Sequence, residues 1–295
     1  MTLGFSTATK TPPVIPASPL RYPGGKGKLS SFFQRLVYLN KLDGGTYVEP
    51  FAGGAAVGVE LLARGVVGNV VLNDVDRSVW CFWKSALSHT DSFVTEIERV
   101  PLTVKEWRRQ RSIQRDPDAS LFALGFSTFY LNRTNRSGVI DGGVIGGLKQ
   151  NGPYLIDARF NREGLIKRIR QAGDLGDQIE LYNLDAEDFI QEVLPETPQR
   201  RTLVYFDPPY YGVSQSLYTS HYKNDDHKRL AKAINSSPRH WCVSYNDVPQ
   251  VRAFYERLRS RSLLLDYSLH DRRKGEEVMF FSHGLSIPRK ITASG

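Results

Sequence analysis

The chain has 295 residues, 40% hydrophobic and 24% charged, and its 39 basic against 31 acidic side chains give a formal net charge of +8. Such a composition can bury one large core with a smaller satellite and excludes large-scale disorder. No apolar run reaches the ~20 residues of a membrane span, and Met1 to Ser18 lacks the apolar core of a signal peptide, so a cytoplasmic protein is expected.

Residues 1–18 are rich in Thr, Pro, Ser and Ala without periodicity and read as a flexible tail. Pro19-Leu20-Arg21-Tyr22-Pro23-Gly24-Gly25-Lys26 forms a loop ahead of an amphipathic helix over Leu29 to Leu39. From Thr46 short apolar runs alternate with amphipathic stretches, the rhythm of strands and crossover helices. Strands are expected at Thr46 to Glu49 and Val70 to Leu72, and helices at Ala55 to Arg64 and Val75 to Leu87. The rhythm breaks over 95–162, which is basic and aromatic, helical at Val104 to Arg115 and Leu121 to Leu131, then glycine-rich. This stretch reads as an inserted module between catalytic segments 19–94 and 163–295. Strands resume at Ile179 to Tyr182, Thr202 to Phe206, His240 to Tyr245, Ser262 to Tyr267 and Glu277 to Phe281. Cys81 and Cys242 lie in apolar stretches without Cys/His partner spacing, so buried free thiols and no structural metal are expected.

Three strand ends carry the chemistry. After Tyr47-Val48-Glu49-Pro50, the turn Phe51-Ala52-Gly53-Gly54-Ala55 opens a helix and lets a ligand approach the backbone. Its spacing is not GxGxxG, and Glu49 would repel a pyrophosphate, so a cationic ligand fits better. Asp74 ends the next strand, placed either to accept ribose hydroxyls or to cap the following helix. Thr202 to Phe206 then delivers Asp207-Pro208-Pro209-Tyr210, where two prolines stiffen the turn and leave carbonyls free to accept. The Asp207 carboxylate and the Pro208 carbonyl suit the two hydrogens of a planar amine, with Tyr210 stacked on its ring. Such hydrogen bonds favour a pyramidal nitrogen that attacks a methyl group held in line. Lys26 suits the carboxylate of an amino-acid-like ligand, and the residues before it do not make GxxxxGK[ST], which excludes a P-loop.

The ordered set Tyr22-Pro23-Gly24-Gly25-Lys26, Glu49 to Gly54, Asn73-Asp74, Phe129 to Arg133, Asp207 to Tyr210 and Val243-Ser244-Tyr245-Asn246 resembles the Dam-type (D12 class, α group) DNA adenine-N6 methyltransferases. One departure is Ala55, where the family usually has glycine. The resemblance implies an α/β fold, a Rossmann-like seven-stranded methyltransferase sheet with an inserted, mainly helical target-recognition domain. It implies S-adenosylmethionine as methyl donor and duplex DNA as substrate. Tyr22, Lys26, Glu49, Phe51, Gly53 and Asp74 would line the cofactor pocket, with Asp185 at the cofactor's adenine amine and Phe189 nearby. Asp207, Pro208, Pro209 and Tyr210 would hold the target adenine, flipped out of the duplex at a cost of a few kcal/mol.

For DNA contact the resemblance points to Arg21, Tyr130, Asn132, Arg133, Asn135 and Arg136, residue types that read base edges or fill the gap left by a flipped base. Tyr130 at helical spacing from Phe126 fits a core position equally well. A monomer is expected, either paired with a cognate restriction endonuclease or acting as an orphan or phage enzyme. GATC is a target by family, and the departure after Arg133 leaves others equally open. Two rival readings are a methyltransferase of the same fold acting on RNA or a protein amide, and a DNA-binding module whose catalysis has decayed.

Overall fold

A computed structural model of the chain describes residues 18–21, 26–212, 222–265 and 275–289. A 3-10 turn at Lys26–Leu29 leads into α1 (Ser30–Leu39). Next come β1 (Thr46–Glu49), α2 (Ala56–Ala63), β2 (Asn69–Asn73) and α3 (Arg77–Ser88). Helices α4 (Thr90–Arg99), α5 (Val104–Arg115), α6 (Leu121–Thr134) and α7 (Arg162–Asp174) follow. The chain continues through β3 (Ile179–Tyr182), α8 (Ala186–Glu192), β4 (Thr202–Phe206), α9 (Asn224–Ser236) and β5 (His240–Asn246). It ends with α10 (Pro249–Phe254), β6 (Arg259–Leu265) and β7 (Gly275–Phe281).

The seven strands form one sheet in the order β3-β2-β1-β4-β5-β7-β6. The first five run parallel, and β7 enters antiparallel between β5 and β6. Because successive side chains point to opposite faces, the central strands feed two cores. Tyr47, Val70, Leu203 and Cys242 join one, with α1 to α7, while Val48, Val71, Val204 and Val243 join the other, with α8, α9 and α10. Both cysteines are buried and free. This is the seven-stranded α/β sheet that the resemblance implies.

Most expected elements stand within three residues of their places. Helix α3 starts at Arg77 and not at Val75 because Asp76 caps it, accepting from the Ser78 amide at 2.8 Å. Strand β6 begins at Arg259, three residues ahead of its expected start, and Tyr267 lies outside the described residues.

The helical module departs from the expected insertion. A boundary at residue 95 falls inside α4, and apart from a small cluster of Cys81, Ala119 and Leu124 the module's buried apolar residues join the sheet's own core. Phe82 of α3, Phe93 of α4, Phe129 of α6 and Phe160 form one aromatic chain, with neighbouring centroids 5.3–6.2 Å apart. Ile97, Leu165 and Ile169 belong to the same cluster as the sheet residues. Close approach of α6 to α3 depends on Gly125, where a Cβ would stand 2.4 Å from the Cys81 carbonyl oxygen. Helices α3 to α7 thus make one block seated on a face of the sheet.

Candidate active site

Parallel strands deliver their carboxyl ends to one edge of the sheet, the edge where open α/β sheets bind ligands. Glu49 ends β1, Asp74 follows β2, Asp207 follows β4, and Asp185 stands three residues beyond β3. With the strand order, these acids form a row across the edge: Asp185, Asp74, Glu49, Asp207. Glu277 joins the same edge, since β7 is antiparallel and pairs Glu277 with Asn246 at the carboxyl end of β5.

Asp207 is held from two sides. Its Oδ1 accepts from Ser244 Oγ at 2.5 Å, and the Ser244 hydroxyl lies 2.8 Å from that of Tyr205. Its Oδ2 stands 3.3 Å from the ammonium of Lys26, which is also 3.3 Å from Glu277 Oε1. The Tyr210 hydroxyl donates to Glu277 Oε1 and lies 3.3 Å from Lys26 Nζ, so the ring is pinned at its far end. One residue on, Asn246 clamps the Tyr211 backbone, its Oδ1 accepting at 2.9 Å and its Nδ2 donating at 3.0 Å. Ser244 and Asn246 of β5 thereby brace both ends of the turn.

Lys26 and Glu277 are buried, and Glu277 Oε2 has no hydrogen-bond partner among the described residues. Burial raises the Glu277 carboxyl above its usual range, against the opposing pull of Lys26. Glu49 Oε1 accepts from the Gly58 amide in the first turn of α2 at 2.9 Å. Even so, burial pushes its carboxyl up to about 8. A buried acid with one backbone donor lacks a full counter-charge, and a cation beside it would restore its ionised form.

Asp74 braces the turn after β1. Its Oδ2 accepts from the Gly53 amide at 2.8 Å and its Oδ1 from the Asp76 amide at 3.0 Å, while burial raises it to about 7. The Gly53 carbonyl receives Trp83 Nε1 at 2.9 Å. Gly53 and Ala55 both take left-handed backbone, at φ 46° and 43°. Ala55 carries a Cβ into a conformation that favours glycine, at a cost of roughly 1–2 kcal/mol. Asn73 binds the Pro50 and Leu184 carbonyls, each at 3.0 Å, and so locks three strand ends together.

Phe51 is half-buried, edge-on to Tyr222 at 6.2 Å. Asp185 is exposed and caps α8, accepting from the Glu187 amide at 2.8 Å. Phe189 lies fully inside the second core, edge-on to Tyr182, rather than on an open surface. Tyr22 lies outside the described residues.

Four of the residues expected at the DNA are buried in the folded chain. Every residue of α6 from Leu124 to Thr134 is buried, because the helix is enclosed by α3, α5 and the loop beyond it. The Tyr130 hydroxyl donates to the Pro101 carbonyl at 2.9 Å. Asn132 bonds both backbone groups of Arg21 at 2.7 Å, and Arg133, 6% exposed, donates through Nε to the Pro19 carbonyl at 2.8 Å. Asn135 accepts from Trp107 Nε1 at 2.7 Å and donates to the Val139 and Ile140 carbonyls. Tyr130 ties α6 to the α4–α5 connection, and Asn132, Arg133 and Asn135 fasten the first loop and the glycine-rich loop to α6; all four side chains are buried in the folded chain. Arg136 is exposed and Arg21 half-buried.

Glu277 and Trp83 were not singled out from the sequence, and Ser244 only as a member of the motif Val243 to Asn246, without a role. Glu277 did carry a signal there, as an acid at the head of the apolar run Val278 to Phe281. Trp83 carried none, being one more aromatic on the buried face of α3.

A family model described as D12 class N6 adenine-specific DNA methyltransferase matches residues 22–274. The chain is 26% identical over 241 residues to a Type II methyltransferase, M.MjaIII, of Methanocaldococcus jannaschii, covering 72% of this chain and 77% of that one. Two structures of the rRNA methyltransferase aviRa from Streptomyces viridochromogenes superpose over 92% of this chain and 90% of theirs. Their identities are 13% and 11% and their TM-scores 0.39 and 0.40, too loose to inform the site.

Proposed function

The chain belongs to the D12 class N6 adenine-specific DNA methyltransferase family, and on that premise we propose how its residues divide the work of methylating adenine in DNA. The row Asp185, Asp74, Glu49, Asp207 carries this reading. Taken along the sheet edge, it offers acceptors in the order that adenine, ribose, the cationic methionine end and the target amine need them. S-adenosylmethionine, the donor that the family implies, supplies an electrophilic methyl group. The raised Glu49 carboxyl and the glycine turn beside it fit that group's cationic end.

Asp207 and the Pro208 carbonyl accept the two N6 hydrogens of a flipped adenine. Each carboxylate oxygen keeps a further lone pair after bonding Ser244 or Lys26. Ser244 and Lys26 fix the carboxylate's orientation, and the pinned Tyr210 ring gives the base a stacking face. Such preorganised acceptors act where charge develops and need no rearrangement during reaction. The likeness to a Type II methyltransferase supports a place in a restriction–modification system with a cognate endonuclease.

Incubation with tritiated S-adenosylmethionine and mixed duplex DNA, followed by nucleoside analysis, is expected to give N6-methyladenine. Label in RNA or protein with none in any duplex would overturn the reading.

The Glu49 carboxyl gives a pH dependence. Its folded-state value, about 8, exceeds the ordinary 4.5. An acid raised on folding contributes stability that is complete below its unfolded value and is lost as pH rises through the folded one. Without cofactor, the wild type is expected to lose up to a few kcal/mol relative to Glu49→Gln between about pH 5 and about pH 8. Urea unfolding at intermediate pH values checks this, and parallel curves for the two proteins would refute it.

A further inference from the structure

Behind the Asp207 carboxylate a chain of hydroxyls runs down into the sheet. Strands β4 and β5 pair with Tyr205 opposite Cys242 and Phe206 opposite Val243. Alternation along each strand puts Tyr205 and Asp207 on one face of β4, with Ser244 on the matching face of β5, the face that Tyr205 and Cys242 share in the first core. Ser244 Oγ donates to Asp207 Oδ1 at 2.5 Å and lies 2.8 Å from the Tyr205 hydroxyl. Tyr205 and Ser244 are both buried. The Tyr205 ring is held by Phe33 of α1, tilted against it with centroids 4.7 Å apart.

The number of hydrogens fixes the direction of this chain. An ionised carboxylate only accepts, and a serine hydroxyl carries one hydrogen. That hydrogen is committed to Asp207, so the contact between the two hydroxyls is made with the hydrogen of Tyr205. Burial and then the charge of Asp207 push the Tyr205 phenol well above its ordinary range, which keeps that hydrogen in place. A serine hydroxyl otherwise rotates to suit its surroundings. Donation from Tyr205 occupies a lone pair of Ser244 and excludes the orientation in which the serine hydrogen turns away from Asp207 into the sheet. Linked hydrogen bonds also polarise one another, so the first link strengthens the second.

We propose that Tyr205 is a positioning residue for methyl transfer, which acts through Ser244 to hold the Asp207 carboxylate in the orientation that accepts an amine hydrogen. The proposal rests on Asp207 being the acceptor for the target amine. A tyrosine that only filled the core would leave the rate of the folded enzyme unchanged when its hydroxyl was removed. A tyrosine at the head of this chain slows the chemical step and leaves binding alone, because its effect reaches substrate through Asp207.

The test is single-turnover methyl transfer at saturating S-adenosylmethionine and a duplex that the wild type methylates, with separate binding titrations. Tyr205→Phe is expected to slow the step about fivefold, the worth of one neutral hydrogen bond, and Ser244→Ala about 20- to 100-fold, since its bond ends on a charge. The double variant should be no slower than Ser244→Ala within about a factor of two, because residues acting in one chain are not additive. Cofactor and duplex dissociation constants should stay within about twofold of wild type, and 4-aminophenylalanine at position 205, whose N–H still donates, should restore the rate. A Tyr205→Phe enzyme as fast as wild type, losses that multiply in the double variant, or no rescue by the amine would overturn the proposal. If Tyr205→Phe does not fold, the amine decides alone: a near wild-type rate supports the chain, and a loss of about fivefold or more overturns it. A near-normal rate in Asp207→Ala would instead overturn the reading beneath it.

Discussion

Asp207→Ala is expected to reduce methyl transfer by about a thousandfold or more while cofactor and duplex affinities stay within a few-fold of wild type. The side chain is an acceptor fixed before substrate arrives, by Ser244 at 2.5 Å and Lys26 at 3.3 Å. Its interaction with the amine strengthens as nitrogen pyramidalises and gains positive charge, so its removal acts on the transition state more than on binding. Losing one well-placed electrostatic partner of this kind costs on the order of 100- to 1,000-fold. Asp207 also orients the nucleophile, and loss of a near-attack geometry adds to that factor. Single-turnover rates at saturating cofactor and DNA, with separate binding titrations, make the comparison. A variant with near-normal single-turnover rate would show that the amine is activated elsewhere.

Much of this site was legible because its residues stand at strand ends, where local sequence decides geometry. Asp207-Pro208-Pro209 needs no distant partner to form a stiff turn, and Glu49 and Asp74 are carried to one edge by any parallel sheet of this order. The supporting network was not legible. Ser244 meets Asp207 across 37 positions of chain, and Glu277 meets Lys26 across 251.

Tyr130, Asn132, Arg133 and Asn135, expected at the DNA, are buried in the folded chain for a definite reason. Amides and arginines suit base edges, but they equally suit orphan carbonyls where an irregular loop packs on a helix. Residues 18–21 and 138–140 supply such carbonyls in quantity. The signal against exposure was in the sequence. Leu121 to Leu131 is apolar on every face, the pattern of an enclosed helix rather than a surface one. Polar residues at the end of such a helix inherit its burial and become its connections to the loops.

Lys26→Met is expected to destabilise the fold by about 3–5 kcal/mol, the usual cost of removing one partner from a buried ionic group. The sequence reading gave Lys26 to a ligand's carboxylate, whereas its ammonium stands between two carboxylates of the chain itself. Its side chain is 5% exposed and that of Glu277 1%. Without the ammonium, Asp207 and Glu277 would face each other with no positive charge between them. Glu277 is the more buried of the two and already raised, so it should take up a proton first. Lys26→Met/Glu277→Gln should then recover most of the lost stability, because the amide oxygen still accepts from the Tyr210 hydroxyl and no buried charge is left unpaired. Urea unfolding of the single and double variants decides the matter. If Lys26→Met alone is as stable as wild type, the ammonium is not what neutralises this pair, and Lys26 returns to the role of a ligand-binding cation. If the double variant is folded but inactive, Lys26 is needed to orient Asp207 even where the fold no longer depends on it.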